Sequence, residues 1–323
     1  MHPLVVLSGS SHPELADLVA EGLGLGVSRI ALSKFANGET KVKLIDSVRD
    51  ADVYIIQTST EPINDMLMEL MIIVQACRYA MVHKITVVMP LFFYSRQDRM
   101  DDGNQPITAK LVANMLQMAG VNHVISLQLH APQIQGFFDI PCDNHSMDGI
   151  FSAWIVENIP KYQDMVIVTP DLGEVRLASE IGRLLGNDVA IFQKHRRRAG
   201  EVSKMVLVGD VRGKSAIIVD DMVDTGGTLC HAALQLQRSG ALKIYALVTH
   251  GIFTGNAVQK LNDSAFDLVV CTNSVPQSSD LTTNPKFRVI NIADMISQSI
   301  LKLQSTPHTI KQTPPQYCYG SSQ

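Results

Sequence analysis

Nine consecutive residues, Asp220-Asp221-Met222-Val223-Asp224-Thr225-Gly226-Gly227-Thr228, carry three carboxylates, two hydroxyls and two glycines after the apolar run Ala216-Ile217-Ile218-Val219. A strand that ends in acids and turns through glycines into a helix brings together two kinds of chemistry. The helix start offers unpaired N–H groups with a partial positive charge, which receive a phosphate. Gly226 and Gly227 let the backbone close around it, and Thr225 and Thr228 add hydroxyl donors. Asp220 and Asp221 are placed to accept hydrogen bonds from vicinal sugar hydroxyls or to face magnesium. The composite predicts a sugar 5-phosphate site; a plain Asp-Asp cap with a tight glycine turn needs fewer of these groups.

Three other segments carry reactive side chains. Lys194-His195-Arg196-Arg197-Arg198-Ala199-Gly200-Glu201 is too charged for a core. It reads as a solvated loop, or as a cationic loop that closes over a polyphosphate and aims charge at the transferring group. With no aromatic residue interleaved, nucleic acid is the poorer partner. The run Leu91 to Asp102 holds Arg96, whose fork can clamp phosphate. In Leu127 to Asp139, His130 with Asp139 and Asp143 suits a metal shell, although a lone histidine at a strand end is more often a hydrogen-bonded structural residue. Lys34-Phe35-Ala36-Asn37-Gly38-Glu39 reads as a turn before a strand.

These segments need a frame that sets them at one edge. Short aliphatic runs at 4–7, 53–57, 85–89 and 124–127, then at 166–169, 189–192, 216–219, 244–248 and 268–271, predict buried parallel strands. Amphipathic stretches at 15–23, 65–79, 109–118, 147–157, 174–185, 228–239 and 293–303 predict helices between them. The alternation predicts an α/β fold in two similar halves, with a seam near Ile140 to His145. The domains expected are 1–145, 146–304 and a polar tail at 305–323. A chain of 323 residues is long enough for each half to bury a substantial core.

Composition narrows the partners. Twenty-seven basic against thirty-one acidic residues give a formal charge of −4, so no global field draws the chain to nucleic acid or anionic lipid. Its anions must be held locally. The five cysteines are scattered, with no C-x-x-C spacing, which fits neither a disulfide framework nor a zinc knuckle. No apolar run approaches a membrane span and the start lacks a signal-peptide core, so the cytoplasm is the expected compartment.

Taken together, these segments resemble the ribose-phosphate pyrophosphokinase (phosphoribosyl-pyrophosphate synthetase) family. The resemblance runs from Leu7-Ser8-Gly9-Ser10-Ser11-His12, through Asn64 to Leu70, Ala109 to Asn114, Gln135 to Asp139, Val206 to Val211 and Thr249 to Phe253, to Asn273-Ser274-Val275-Pro276-Gln277. It implies two tandem phosphoribosyltransferase-like (type I) domains, each with a mostly parallel sheet flanked by helices. It also implies transfer of the diphosphoryl group of Mg-ATP to the 1-hydroxyl of ribose 5-phosphate, giving AMP and phosphoribosyl pyrophosphate. By this resemblance Asp171, Asp220, Asp221, Asp224 and Thr225 to Thr228 hold ribose 5-phosphate, while Lys194 and Arg196 stabilise the transferring group. Arg96, Gln97 and Asp101 belong to the ATP side; His130, with Asp171, helps hold magnesium. Phe35, Asn37 and Glu39 match the segment that reaches the adenine of a neighbouring subunit, so a dimer-based hexamer is implied. Ser47 and Arg49 match a regulatory segment.

Two departures fall near the chemistry. Gln128 stands where the family has an aspartate two residues before His130, and Glu174 stands where the family reads Pro-Asp-x-Gly-Gly. An amide oxygen can still face magnesium, but with one negative charge fewer, metal affinity is expected to fall. Glu174 is expected to point away from the substrate or to repel it. An active synthetase is the leading reading. A catalytically weak paralogue that regulates active subunits comes second, and a simple phosphoribosyltransferase is more distant because it needs one such domain.

Overall fold

The computed structural model describes residues 2–100, 103–195 and 204–304, the side chains of Lys194, His195 and Lys204 excepted. The first half runs β1 (Leu4–Ser8), α1 (Pro13–Gly22), β2 (Ile30–Lys34), β3 (Thr40–Leu44), β4 (Asp52–Ile56), α2 (Ile63–Tyr79), β5 (Lys84–Met89), α3 (Thr108–Ala119), β6 (His123–Leu127) and β7 (Cys142–His145). The second runs α4 (Asp148–Asn158), β8 (Met165–Thr169), α5 (Val175–Leu185), β9 (Asp188–His195), β10 (Lys204–Val208), β11 (Ser215–Val223), α6 (Gly227–Arg238), β12 (Ile244–Gly251), α7 (Ala257–Asn262), β13 (Leu268–Thr272), α8 (Ser279–Thr282), β14 (Phe287–Ile290) and α9 (Ala293–Gln304).

One sheet has the order β1-β4-β5-β6-β7 and is parallel throughout. The other has the order β10-β9-β8-β11-β12-β13-β14 and is parallel except where β10 pairs antiparallel with β9. The expected α/β class with two mostly parallel, helix-flanked sheets is what the chain adopts. The expected tail at 305–323 lies outside the described residues.

Alternation along the strands divides the core into three. Val53 and Ile55 of β4 face one way, into a cluster with α2 and α3, while Tyr54 and Ile56 face the other. Ala216 and Ile218 of β11 likewise join a cluster under α6, and Ile217 and Val219 turn inward. The inner faces of both sheets meet the same four helices, α1, α4, α5 and α9, in a single buried cluster. The two halves thus share a core in addition to the one each was expected to bury alone. Polar links fasten the seam: His12 Nε2 to the Asn273 carbonyl at 2.8 Å, Thr58 Oγ1 to the Ser274 carbonyl at 2.8 Å, and His250 Nε2 to the Leu127 carbonyl at 3.1 Å. Full burial keeps the His250 pKa below its usual value.

The segment Lys34 to Glu39 is the tip of an antiparallel hairpin formed by β2 and β3, which packs against α2. Asn37 Oδ1 accepts the Glu39 N–H at 3.2 Å, and Gly38 closes the turn with φ +90°. The sequence reading expected a turn there and a strand after it, but not the strand before it.

Candidate functional site

The site forms where the C-terminal ends of the parallel strands of both halves converge, the position at which open α/β sheets receive ligands. β11 runs through Asp220 and Asp221 to Val223, so the acidic doublet lies inside the strand rather than in the turn after it. Pairing with β12 continues beyond them, with Asp220 opposite Val248 and Met222 opposite His250. The turn then enters α6 through Gly226, whose φ of +74° is a left-handed conformation that favours glycine. Thr225, Gly227 and Thr228 are exposed at this helix start, as a phosphate cradle requires.

The first half contributes side chains to the same place. His130 Nδ1 meets Asp221 Oδ2 at 2.6 Å, and Asp221 is buried. That hydrogen bond raises the imidazole pKa above its usual value in spite of partial burial, with further pull from the charges of Asp98 and Glu174. Arg96 donates to Asp224 Oδ2 at 2.8 Å, and Thr254 donates to the other oxygen of the same carboxylate. A cleft of about 1020 Å³ opens between the halves, lined by Ser10, Tyr94, Arg96 and Gln97 on one side and by Asp224 and Thr254 on the other. His130, Asp171, Asp220 and Asp221 are not part of its lining.

Four carboxylates gather at the end of β8 and β11. Burial, followed by the charges of Asp221, Asp171 and Glu174, holds the Asp220 carboxyl well above the usual carboxylate range. Asp171 Oδ1 accepts the Gly173 N–H at 2.9 Å, which folds the loop before α5. Glu174 is 7% exposed, and burial first, then Asp221, pushes its pKa up to about 7. The sequence reading has it point away from the substrate or repel it, and the structure buries it beside Asp171 and Asp221. Gln128 Nε2 donates to Glu174 Oε2 at 3.1 Å, while Gln128 Oε1 accepts the Met147 N–H at 3.2 Å. The amide oxygen expected to face magnesium is thus engaged by the backbone.

The residues expected to hold metal separate in the structure. Asp143 lies in β7 and bonds His123 Nε2 at 3.0 Å, near the N-terminal end of β6, whereas His130 follows the C-terminal end of that strand. Asp139 is exposed in the turn before β7, its N–H given to the Gln117 side chain at 2.5 Å. Among the described residues no three His, Cys, Asp or Glu side chains are grouped to hold a metal ion by themselves. The proximity of Asp139 and Asp143 in sequence to His130 misled the expectation, because the chain folds through a 3-10 turn, Pro132–Phe137, and back along β7. What remains, four oxygen-donor groups with surplus negative charge and an imidazole backed by a carboxylate, fits magnesium completed by substrate oxygens.

Arg196 and Asp101 lie outside the described residues, and of Lys194 only the backbone is described, near the end of β9 beside β10. Phe35, Asn37 and Glu39 are exposed on the hairpin, where the Lys41 ammonium lies 5.4 Å from the Phe35 ring centre. Ser47 and Arg49 are exposed between β3 and β4, with an Arg49 nitrogen 3.0 Å from Met81 Sδ. Gln97 accepts from the Thr108 hydroxyl at the start of α3. Sequence reasoning passed over Asp98, buried beside His130 and fixed by Gln133 at 3.1 Å, and Thr254 against Asp224. A carboxylate between Arg96 and Arg99 was the available signal for Asp98.

A family model described as the N-terminal domain of ribose phosphate pyrophosphokinase matches residues 4–120, and one described as the phosphoribosyl synthetase-associated domain matches residues 191–308. The chain is 37% identical to phosphoribosylpyrophosphate synthetase from Mycobacterium smegmatis, with a TM-score of 0.87, over 94% of this chain and 99% of that one. A purine phosphoribosyltransferase from Pyrococcus horikoshii is 17% identical over 45% of this chain and 81% of its own, with a TM-score of 0.29. With both halves matched and nearly the full length of a synthetase covered, the chain belongs to the ribose phosphate pyrophosphokinase family.

Proposed function

We propose that the chain transfers the diphosphoryl group of ATP to the 1-hydroxyl of ribose 5-phosphate. The observation that carries this reading is the junction of the Asp220 to Thr228 segment with Arg96 and His130 from the other half. The N–H groups at the start of α6, with Thr225 and Thr228, receive the 5-phosphate. Asp220 and Asp224 face the sugar hydroxyls, and Asp171 is set beside them. Asp221 has one oxygen committed to His130, so it orients that ring and favours its charged form. Arg96 is placed to exchange Asp224 for a phosphate oxygen when nucleotide enters, and Gln97 stands next to it.

Magnesium, when bound, would supply positive charge to the phosphate oxygens; Asp171 would hold it with Asp220 near, and His130 would join only in its neutral form, with Nδ1–H given to Asp221 and Nε2 free. The reaction is then a matter of placement and charge, as phosphoryl transfer generally is. Lys194 and Arg196 belong to this reading as the cationic side of the transferring group. Phe35, Asn37 and Glu39, exposed on the hairpin tip, belong to it as a contact with the adenine held by a second copy, in a dimer-based hexamer.

One observation favours a second reading, a weakly active paralogue that regulates active subunits. Glu174 places a buried carboxylate at the loop where the diphosphate is expected. Incubation with Mg-ATP and ribose 5-phosphate separates the two. AMP release at roughly 1 to 100 per second supports the synthetase. No AMP from the chain alone, with altered rates on mixing with an active family member, supports the regulator; no AMP and no ribose 5-phosphate binding overturns both.

A further inference from the structure

The imidazole of His250 is 1% exposed, so no substrate touches it, yet it lies where the two halves of the site join. It stands in β12 opposite Met222 of β11, the residue after Asp221. Nε2 reaches across the seam to the Leu127 carbonyl at 3.1 Å, and Nδ1 lies 2.9 Å from the Ser274 hydroxyl. A carbonyl only accepts, so Nε2 carries the proton. Full burial keeps the ring neutral, which leaves Nδ1 to accept from Ser274. The Thr249 carbonyl, 3.0 Å from the same hydroxyl, is already served by Thr272 Oγ1 at 2.7 Å. Partners thus set both the tautomer and the direction of the ring.

Leu127 is the last residue of β6, and its carbonyl marks the point where the chain leaves the sheet toward His130. Gln128 makes that exit with φ +38°, a left-handed conformation that a residue other than glycine keeps only when its surroundings hold it there. From the first half, two bonds to β7 hold the turn: the Gln128 N–H to the His145 carbonyl and the Leu129 N–H to Asn144 Oδ1, each at 2.9 Å. From the second half, the tie to the backbone of this turn is His250, on the strand next to the one that carries Asp221.

We propose that His250 is a positioning residue for the transfer reaction: through the Leu127 carbonyl it fixes the turn that presents His130 to Asp221. The 2.6 Å contact between His130 Nδ1 and Asp221 Oδ2 joins side chains from different halves. Its length depends on how the turn after β6 sits against β11 and β12, and the His250 bond sets that spacing. Without the donor on Leu127, the turn loses its backbone tie to the second half, and the strained Gln128 is free to unwind. A misplacement of about 1 Å costs roughly 100-fold in rate, so a buried ring governs the chemistry without touching it. This inference rests on the proposed role of His130 in diphosphoryl transfer.

The test compares His250→Asn with His250→Gln in the full chain. A glutamine amide reaches about as far as Nε2 and can donate to Leu127, whereas an asparagine amide reaches only as far as Nδ1. His250→Met serves should His250→Asn fail to fold. Two readouts are taken. One is kcat and KM for AMP formation from Mg-ATP and ribose 5-phosphate. The other is the downfield imidazole N–H proton signal of the short His130–Asp221 bond, assigned by its absence from His130→Ala. His250→Asn should lower kcat by about ten-fold or more, leave both KM values within about two-fold, and lose the proton signal. His250→Gln should recover kcat to within about three-fold and restore the signal. Equal losses in both variants would mark a packing role alone, and an intact signal in folded His250→Asn would show that His130 keeps its place without His250; either overturns the inference. Should the unchanged chain release no AMP, the synthetase reading falls, while the proton signal in the same variants still supports or overturns the positioning of His130 by His250.

Discussion

Replacing Glu174 by glutamine should make the protein more stable at alkaline pH and leave it nearly unchanged in acid. The amide can still accept the bond from Gln128, so the perturbation is chiefly loss of charge. Burial, with Asp221 and Asp171 nearby, lifts the Glu174 pKa from an ordinary 4.5 to about 7, against the pull of Gln128 and His130. A folded-state pKa above the unfolded one gives stability that is fully present below 4.5 and is lost as the pH rises through about 7. The full loss is about 3 kcal/mol, most of which falls between pH 5 and pH 8. At about 2.1 cal/mol/K of unfolding entropy per residue, this corresponds to about 4 °C in a chain of this length. The assay is the melting temperature of both proteins across that pH range in metal-free buffer. The difference between them should grow from under about 1 °C at pH 5 to about 4 °C at pH 8. A constant difference, or one that shrinks with rising pH, would refute the account of this carboxylate.

Arg96→Ala removes a bridge whose arginine side chain is 56% exposed, so stability should fall by less than about 1 kcal/mol. AMP formation should fall by about 100-fold or more, since the guanidinium is then missing from the phosphates; equal losses in melting and rate would remove Arg96 from the chemistry. Gly226→Ala puts a side chain at φ +74°, at a cost of about 1–2 kcal/mol. Ribose 5-phosphate affinity should drop about ten-fold with the cradle displaced, and unaltered affinity by calorimetry would place the sugar phosphate elsewhere.

Central strands were legible because β4, β5, β6, β8, β11, β12 and β13 are short aliphatic runs largely buried on both faces, and the edge strand β1 was legible from the same kind of run. The other edges were not. β7 is Cys142-Asp143-Asn144-His145, with no apolar pattern, and the β2–β3 hairpin exposes every other residue without a strong hydrophobic face. The Asp220 to Thr228 segment could be read because its groups are contiguous and its helix start is local. The rest of the site depends on residues far apart in the chain: Arg96 and Asp224 are separated by 128 positions, His130 and Asp221 by 91, Gln128 and Glu174 by 46. Composition and periodicity contain no information about which strand ends will meet. Asp143 shows the opposite error, since closeness in sequence to His130 put it on the wrong end of β6.

The packing of α9 against α1, with Ser297 Oγ reaching the Val19 carbonyl at 3.1 Å, sets an order on biosynthesis. The helix that covers α1 is made about 280 residues after it. At about 5–20 residues per second, some 15 seconds to a minute must pass between the two. Throughout that interval the nascent polypeptide carries an oily surface with no lid, a window in which chaperone capture competes with premature association.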